Sequence, residues 1–231
     1  MPDSASKASA LSSFTDWSRQ AFRFIVDPIA RLLARSGIHP NVLTFSGLAG
    51  NAIGAVLLAR GDFVWGGILI LLMGPIDALD GATARARGKL SPWGAFVDST
   101  TDRWSESVIM LGLLIHYANR AATQEVVLVL FAIVGSLMVS YTRARAESLG
   151  FSASVGVLTR LERYLVFAPA LVFRHPEIAL WIIAPLANIT AIQRTIHVRR
   201  QWYVRDVRRQ WYVRDVGKPE TKGSKRPADD C

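Results

Sequence analysis

The chain is 231 residues long, 51% hydrophobic, and carries a formal net charge of +9. A basic balance of that size suits nucleic acid, an anionic membrane surface or a phosphorylated substrate, but several long uncharged runs argue against a nucleic-acid module. The only cysteine, Cys231, excludes an internal disulfide and a cysteine-based zinc site, and it stands too near the end for a prenylation box.

The opening MPDSASKASALSSFTDW has no apolar core, so no cleavable signal peptide is expected and residues 1–17 read as a polar tail. Within Ser18–Ser36, RQAFRFIVDPIARLLAR places apolar residues at helical spacing with arginines between them. This predicts an amphipathic interfacial helix with Pro28 as a break or kink; a helix packed on the domain is the alternative. Six apolar stretches follow at Val42–Ala59, Phe63–Ile76, Ser107–Asn119, Val126–Thr142, Tyr164–Phe173 and Ile178–Gln193. Only the first and fourth approach the ~20 residues that cross a ~30 Å hydrocarbon core. The second reaches that length by running through Asp77 and Asp80, and the third by starting near Phe96 and taking in Asp98, Asp102 and Arg103. The expected fold is therefore an all-α integral membrane domain of six transmembrane helices behind the interfacial helix. Gly50-x3-Gly54 permits close helix packing, within one chain or between two.

Loop charges give the orientation. Lys7, Arg19, Arg23, Arg31, Arg35, Arg85, Arg87, Lys89, Arg143, Arg145 and the tail after His197 fall on one side, against Arg60, Arg120 and Arg174 on the other. The excess places both termini and the aspartate-bearing ends in the cytoplasm. Past the sixth stretch, VRRQWYVRD at 198–206 recurs at 207–215, and GKPETKGSKRPADDC closes the chain as a polar, disordered segment. Nine residues turn a helix half a turn beyond whole turns, so the two copies face opposite ways. The duplication suits a basic, aromatic tail beside anionic lipid. The membrane domain is bounded at 18–200, with the tail at 201–231.

The chemistry lies in DALDGATARARGKLSPWGAFVDSTTDR. Asp77 and Asp80 are spaced i,i+3, Asp98 and Asp102 i,i+4, so each pair occupies one helix face. A short basic loop makes the two helices antiparallel neighbours, and four converging carboxylates could not all ionise without cations. Hard divalent metal, Mg²⁺ or Mn²⁺, is the natural partner. Gly81 and Gly94 leave room for a substrate to approach the backbone, and Arg85 adds a cation. Carboxylates within a membrane also mark ion and proton paths, but a transporter would spread them about the midplane, whereas these collect at one face.

The spacing Asp77-x2-Asp80-Gly81-x2-Ala84-Arg85-x8-Gly94-x3-Asp98-x3-Asp102 resembles the signature of the CDP-alcohol phosphotransferase family. The resemblance implies six transmembrane helices, usually in a homodimer, and a cytoplasm-facing site with two divalent ions. It implies that Asp77, Asp80 and Asp98 bind metal, and that Asp102 is the general base and also touches a metal. Pro40, Asn41 and Thr44 of HPNVLT, with Asp80, Gly81, Ala84, Arg85 and Gly94, would hold the CDP-lipid. The implied reaction moves a phosphatidyl group from CDP-diacylglycerol to a polar alcohol, with CMP leaving.

Four arginines outside the signature bear on the acceptor: Arg143 and Arg145 in YTRARAE, Arg163 in RLER and Arg194 in IQR. A cluster of that kind suits a phosphorylated alcohol, and anchoring at the membrane surface is the alternative. These segments, and Asp98-Ser-Thr-Thr-Asp102-Arg103, resemble the bacterial phosphatidylinositol-phosphate synthases, with Arg143 standing where a mycobacterial branch usually has lysine. The expected acceptor is inositol phosphate. Glycerol 3-phosphate is the alternative within the family, and a cation transporter or non-catalytic membrane protein the alternative outside it.

Overall fold

The computed structural model describes residues 40–86 and 91–216, with the side chains at 40, 77, 78, 80, 81, 84–86 and 208–216 outside that description. Among the described residues the chain forms six helices and no strand: α1 Pro40–Arg60, α2 Phe63–Ala86, α3 Pro92–Ala118, α4 Thr123–Ser148, α5 Arg160–Val172 and α6 Pro176–Val216. The expected helix at Ser18–Ser36 and the final GKPETKGSKRPADDC lie outside the described residues.

Each apolar stretch falls on a helix, two of them running one residue past its end, and the charged flanks were absorbed as anticipated. α2 continues through Asp77 and Asp80 to Ala86, and α3 carries Asp98, Asp102 and Arg103 within it. α3 begins at Pro92, whose missing N–H costs nothing in a first turn, with the Ser91 hydroxyl accepting from the Gly94 N–H at 3.0 Å. α5 opens earlier than its apolar stretch, at Arg160, where the Glu162 carboxylate accepts the Thr159 N–H. α6 runs 41 residues without a break, through the duplicated segment.

The helices form a closed ring of neighbours in the order α1, α2, α5, α6, α4, α3, and back to α1. Leu58, Ile70, Leu113, Val129, Leu171, Leu180 and Ile183 fill its core, each fully buried. α1 and α2 pack through glycine. A side chain at Gly50 would meet Met73, and one at Gly54 would meet Ile70 and the Gly66 carbonyl. The Gly50-x3-Gly54 pair thus serves packing within the chain. α2 and α5 are joined at a backbone defect: Pro75 has no N–H for the Leu71 carbonyl, and the Tyr164 hydroxyl supplies a donor to it at 2.7 Å. In a membrane such an orphan would be costly.

α1 meets α3 where Gly112 lies against the backbone of Ala55. A β-carbon there would overlap the Ala55 carbonyl, so Gly112→Val is expected to destabilise the protein by about 1–3 kcal/mol. Thermal unfolding in detergent tests this, and an unchanged midpoint would mean that the contact is not close.

Asn41–Arg60, Thr123–Ser148 and Pro176–Val207 are long and apolar enough to cross a membrane, and Phe63–Ile76 is a shorter apolar run. Large apolar side chains crowd the outside of the ring, among them Phe45, Trp65, Phe131, Val134 and Ile192. In water that surface would aggregate; against acyl chains it is the ordinary arrangement. The protein is a membrane protein.

Candidate active site

The ring brings three helix segments to one level. Gly50 faces Met73 across the antiparallel α1–α2 pair, so stepping toward the start of α1 and the end of α2 brings Thr44 level with Leu79 and Asp80. Gly112 faces Ala55 across the parallel α1–α3 pair, and the same step brings Thr44 level with Thr101 and Asp102. Thr44, Thr83, Thr101 and Asp102 are buried at this level, and Asn41 and Asp98 are half-buried. Pro40 opens α1 one turn away. Asp77, Asp80, Gly81, Ala84 and Arg85 lie on the described helix, but their side chains are outside the description. Among the described residues no three metal-ligating side chains converge. Among described atoms, an added β-carbon at Gly94 would lie 3.2 Å from the Ser91 hydroxyl.

α3 presents Asp98, Asp102 and Glu106 at i, i+4 and i+8, one acidic face descending the helix. The first turn of α5 meets it with two arginines. Arg160 Nη1 donates to Asp102 Oδ2 at 2.5 Å, and Arg103 Nη1 lies 3.9 Å from the same oxygen. One turn on, Arg163 grips Glu106 with both arms of its fork, Nε to Oε1 at 2.7 Å and Nη2 to Oε2 at 3.0 Å. That geometry is the strong bidentate one. Arg163 is 3% exposed and the Glu106 side chain 22%.

Arg194, 3% exposed on α6, donates from Nη1 to the Val139 carbonyl at 2.6 Å and from Nε to the Val155 carbonyl at 2.9 Å. Arg143 stands one turn beyond Val139 on α4, and Arg163 reaches the same loop as Arg194, its Nη1 3.4 Å from the Leu158 carbonyl. Arg143 stands exposed at the end of α4, paired with Glu147 at 2.8 Å, and Arg145 is exposed beside it. The four arginines read from the sequence are thus of two kinds. Arg163 and Arg194 are buried and bound to the protein, whereas Arg143 and Arg145 reach the surface.

Arg160 and Glu106 escaped the sequence reading. Glu106 had a signal: it continues the four-residue step from Asp98 and Asp102. Arg160 had a weaker one, standing one turn before Arg163 on the same face.

The sequence profile of the CDP-alcohol phosphatidyltransferase family matches residues 37–193. Phosphatidylinositol phosphate synthase of Streptomyces avermitilis is 38% identical over 200 residues, covering 80% of this chain and 82% of that protein. The crystal structure of Mycobacterium tuberculosis phosphatidylinositol phosphate synthase with CDP-DAG bound superposes with a TM-score of 0.70 at 32% identity, covering 75% of this chain and 93% of that one. The same enzyme in complex with manganese and citrate gives 0.68 at 32%, covering 75% and 88%.

Proposed function

The chain belongs to the CDP-alcohol phosphatidyltransferase family, and from that premise we propose that it transfers the phosphatidyl group of CDP-diacylglycerol to inositol phosphate, forming phosphatidylinositol phosphate and CMP. The observation that carries this reading is the double rung between α3 and α5, Asp102–Arg160 and Glu106–Arg163, with Arg194 bound to the same loop as Arg163. It sets a carboxylate next to a cluster of cations at the level of the signature aspartates.

The donor set suits a hard divalent metal: Asp77 and Asp80 from α2, Asp98 and Asp102 from α3 offer carboxylate oxygens only. Two Mg²⁺ or Mn²⁺ ions held there would neutralise the diphosphate and stabilise the departing phosphate of CMP. The chain's own work is positional. Pro40, Asn41 and Thr44 at the start of α1, with Gly81, Ala84, Arg85 and Gly94, form the wall for the CDP-lipid. Asp102, 8% exposed and steadied by Arg160, takes the proton of the acceptor hydroxyl. The hydroxyl oxygen bonds to the phosphatidyl phosphorus as the bond to CMP breaks. Arg145, and Arg143 by exchanging its exposed pairing with Glu147, would reach the acceptor phosphate, and Arg163 and Arg194 add fixed positive charge behind it.

We also read the six helices as six crossings, with the site and both termini cytoplasmic, because the basic loops gather on that side. The proposed membrane domain is 18–200, its first helix interfacial, in a homodimer.

An acceptor panel tests the reading. Purified protein, CDP-diacylglycerol and Mg²⁺ or Mn²⁺ are given inositol 1-phosphate, glycerol 3-phosphate, inositol or serine, with and without EDTA, and CMP is measured. Release with inositol 1-phosphate alone, abolished by EDTA, is expected. Release with glycerol 3-phosphate instead would discard the acceptor, and silence from folded protein would discard the reaction.

A further inference from the structure

We propose that the first copy of the C-terminal duplication is a clamp: Gln201 and Arg205 hold the α4–α5 loop against α6 and so set the affinity for the phosphorylated acceptor. The second half of this proposal rests on the reaction argued above.

The loop begins where α4 ends. Gly150 takes the left-handed conformation at φ +73°, and the N–H groups of Gly150 and Phe151 close on the carbonyls of Glu147 and Ala146 at 3.0 and 2.9 Å. Beyond that turn the chain runs without helix to Thr159, and α6 supplies its partners. The Thr190 hydroxyl accepts the Leu158 N–H at 3.2 Å, and Arg194 donates to the Val155 carbonyl. Farther along α6, the Gln201 amide satisfies both backbone groups of Ser152: Nε2 donates to the carbonyl at 2.6 Å, and Oε1 accepts the N–H at 3.1 Å. Arg205 Nη2 donates to the Gly150 carbonyl at 2.8 Å. Its guanidinium lies 4.4 Å over the Phe151 ring, a cation–π contact.

Thr190, Arg194, Gln201 and Arg205 fall within about 60° of one another around α6 at the ~100° helical step. They form one polar stripe that follows the loop. The stripe joins two functions through the same short backbone. Its near end bears Arg194 of the cation cluster, and Arg163 Nη1 donates to the loop's Leu158 carbonyl at 3.4 Å. Loosening the loop at residues 150–152 therefore releases a wall that Arg163 and Arg194 lean on. Gln201 and Arg205 lie beyond the 37–193 region that matches the family profile. The second copy repeats the pair, but nine residues turn the helix half a turn and advance it by about 13 Å.

Two variants decide the matter. One is Gln201→Ala combined with Arg205→Ala; the other deletes residues 207–215, which leaves the first copy and both clamp residues in place. The double variant is expected to raise the KM for inositol phosphate about tenfold, on the scale of one or two hydrogen bonds. Its KM for CDP-diacylglycerol and its kcat should stay within about twofold, and amides 149–158 should exchange hydrogen faster. The deletion should change none of these. An unchanged acceptor KM, a uniform loss in all three constants, or a deletion that reproduces the effect would each overturn the proposal. If the unaltered protein turns over no phosphorylated acceptor, the reaction fails and the affinity claim with it. Exchange then judges the clamp alone, and unchanged exchange overturns that as well.

Discussion

Replacing Asp102 by asparagine is expected to slow CMP release by about 10²–10⁴-fold, the usual worth of a positioned base, while CDP-diacylglycerol still binds. The side chain keeps its size, and the remaining carbonyl oxygen can still accept from Arg160, so the rung between α3 and α5 persists. What disappears is the ability to take a proton. Measured kcat, together with stabilisation of the variant by added CDP-diacylglycerol, separates this from unfolding. A variant that turns over normally would remove Asp102 from the chemistry. One that loses lipid binding and stability together would make it a structural residue.

Glu106→Ala should do the opposite: damage the fold before the chemistry. It strands the Arg163 guanidinium, 3% exposed, with the long 3.4 Å contact to the Leu158 carbonyl on the other side of its fork. Breaking one side of a buried ion pair costs roughly 3–5 kcal/mol, and the partial exposure of Glu106 puts this case toward the lower figure. For a chain of this length that is a fall of roughly 10 °C in the unfolding midpoint. Adding Arg163→Met to Glu106→Ala should recover part of the loss, because an apolar pair removes the stranded charge. Equal midpoints for the single and double variants would show that the pair is not coupled.

Much of this was legible in the residues. The spacing of Asp77, Asp80, Asp98 and Asp102 pointed to the family that the profile match shows, because a helix converts i,i+3 and i,i+4 directly into one face. The apolar stretches located all six described helices for the same local reason. What stayed hidden depends on contacts between distant segments. Glu106 and Arg163 are 57 residues apart in the chain, and nothing local shows that a guanidinium expected to hold a ligand is already occupied by a carboxylate. The partner of Gly50-x3-Gly54 was equally undetermined until α2 was seen to fill it. The duplicated segment was read by its exposed features, arginines and aromatics near lipid. The contacts that Gln201 and Arg205 make to the loop, 49 and 55 residues away in the chain, have no local signal.

The shortness of α5 has a consequence for the surrounding lipid. Thirteen residues rise only about 20 Å, some 10 Å less than a typical hydrocarbon core. If α5 is one of the crossings, the bilayer beside it must thin or the aqueous boundary must dip inward, since Arg160 stands at its first turn. The protein would then carry a dimple in the membrane surface at its own reaction centre. A water-soluble alcohol could descend into that dimple while a two-chained nucleotide lipid slides in sideways, and the two would meet at one depth without either leaving its own phase.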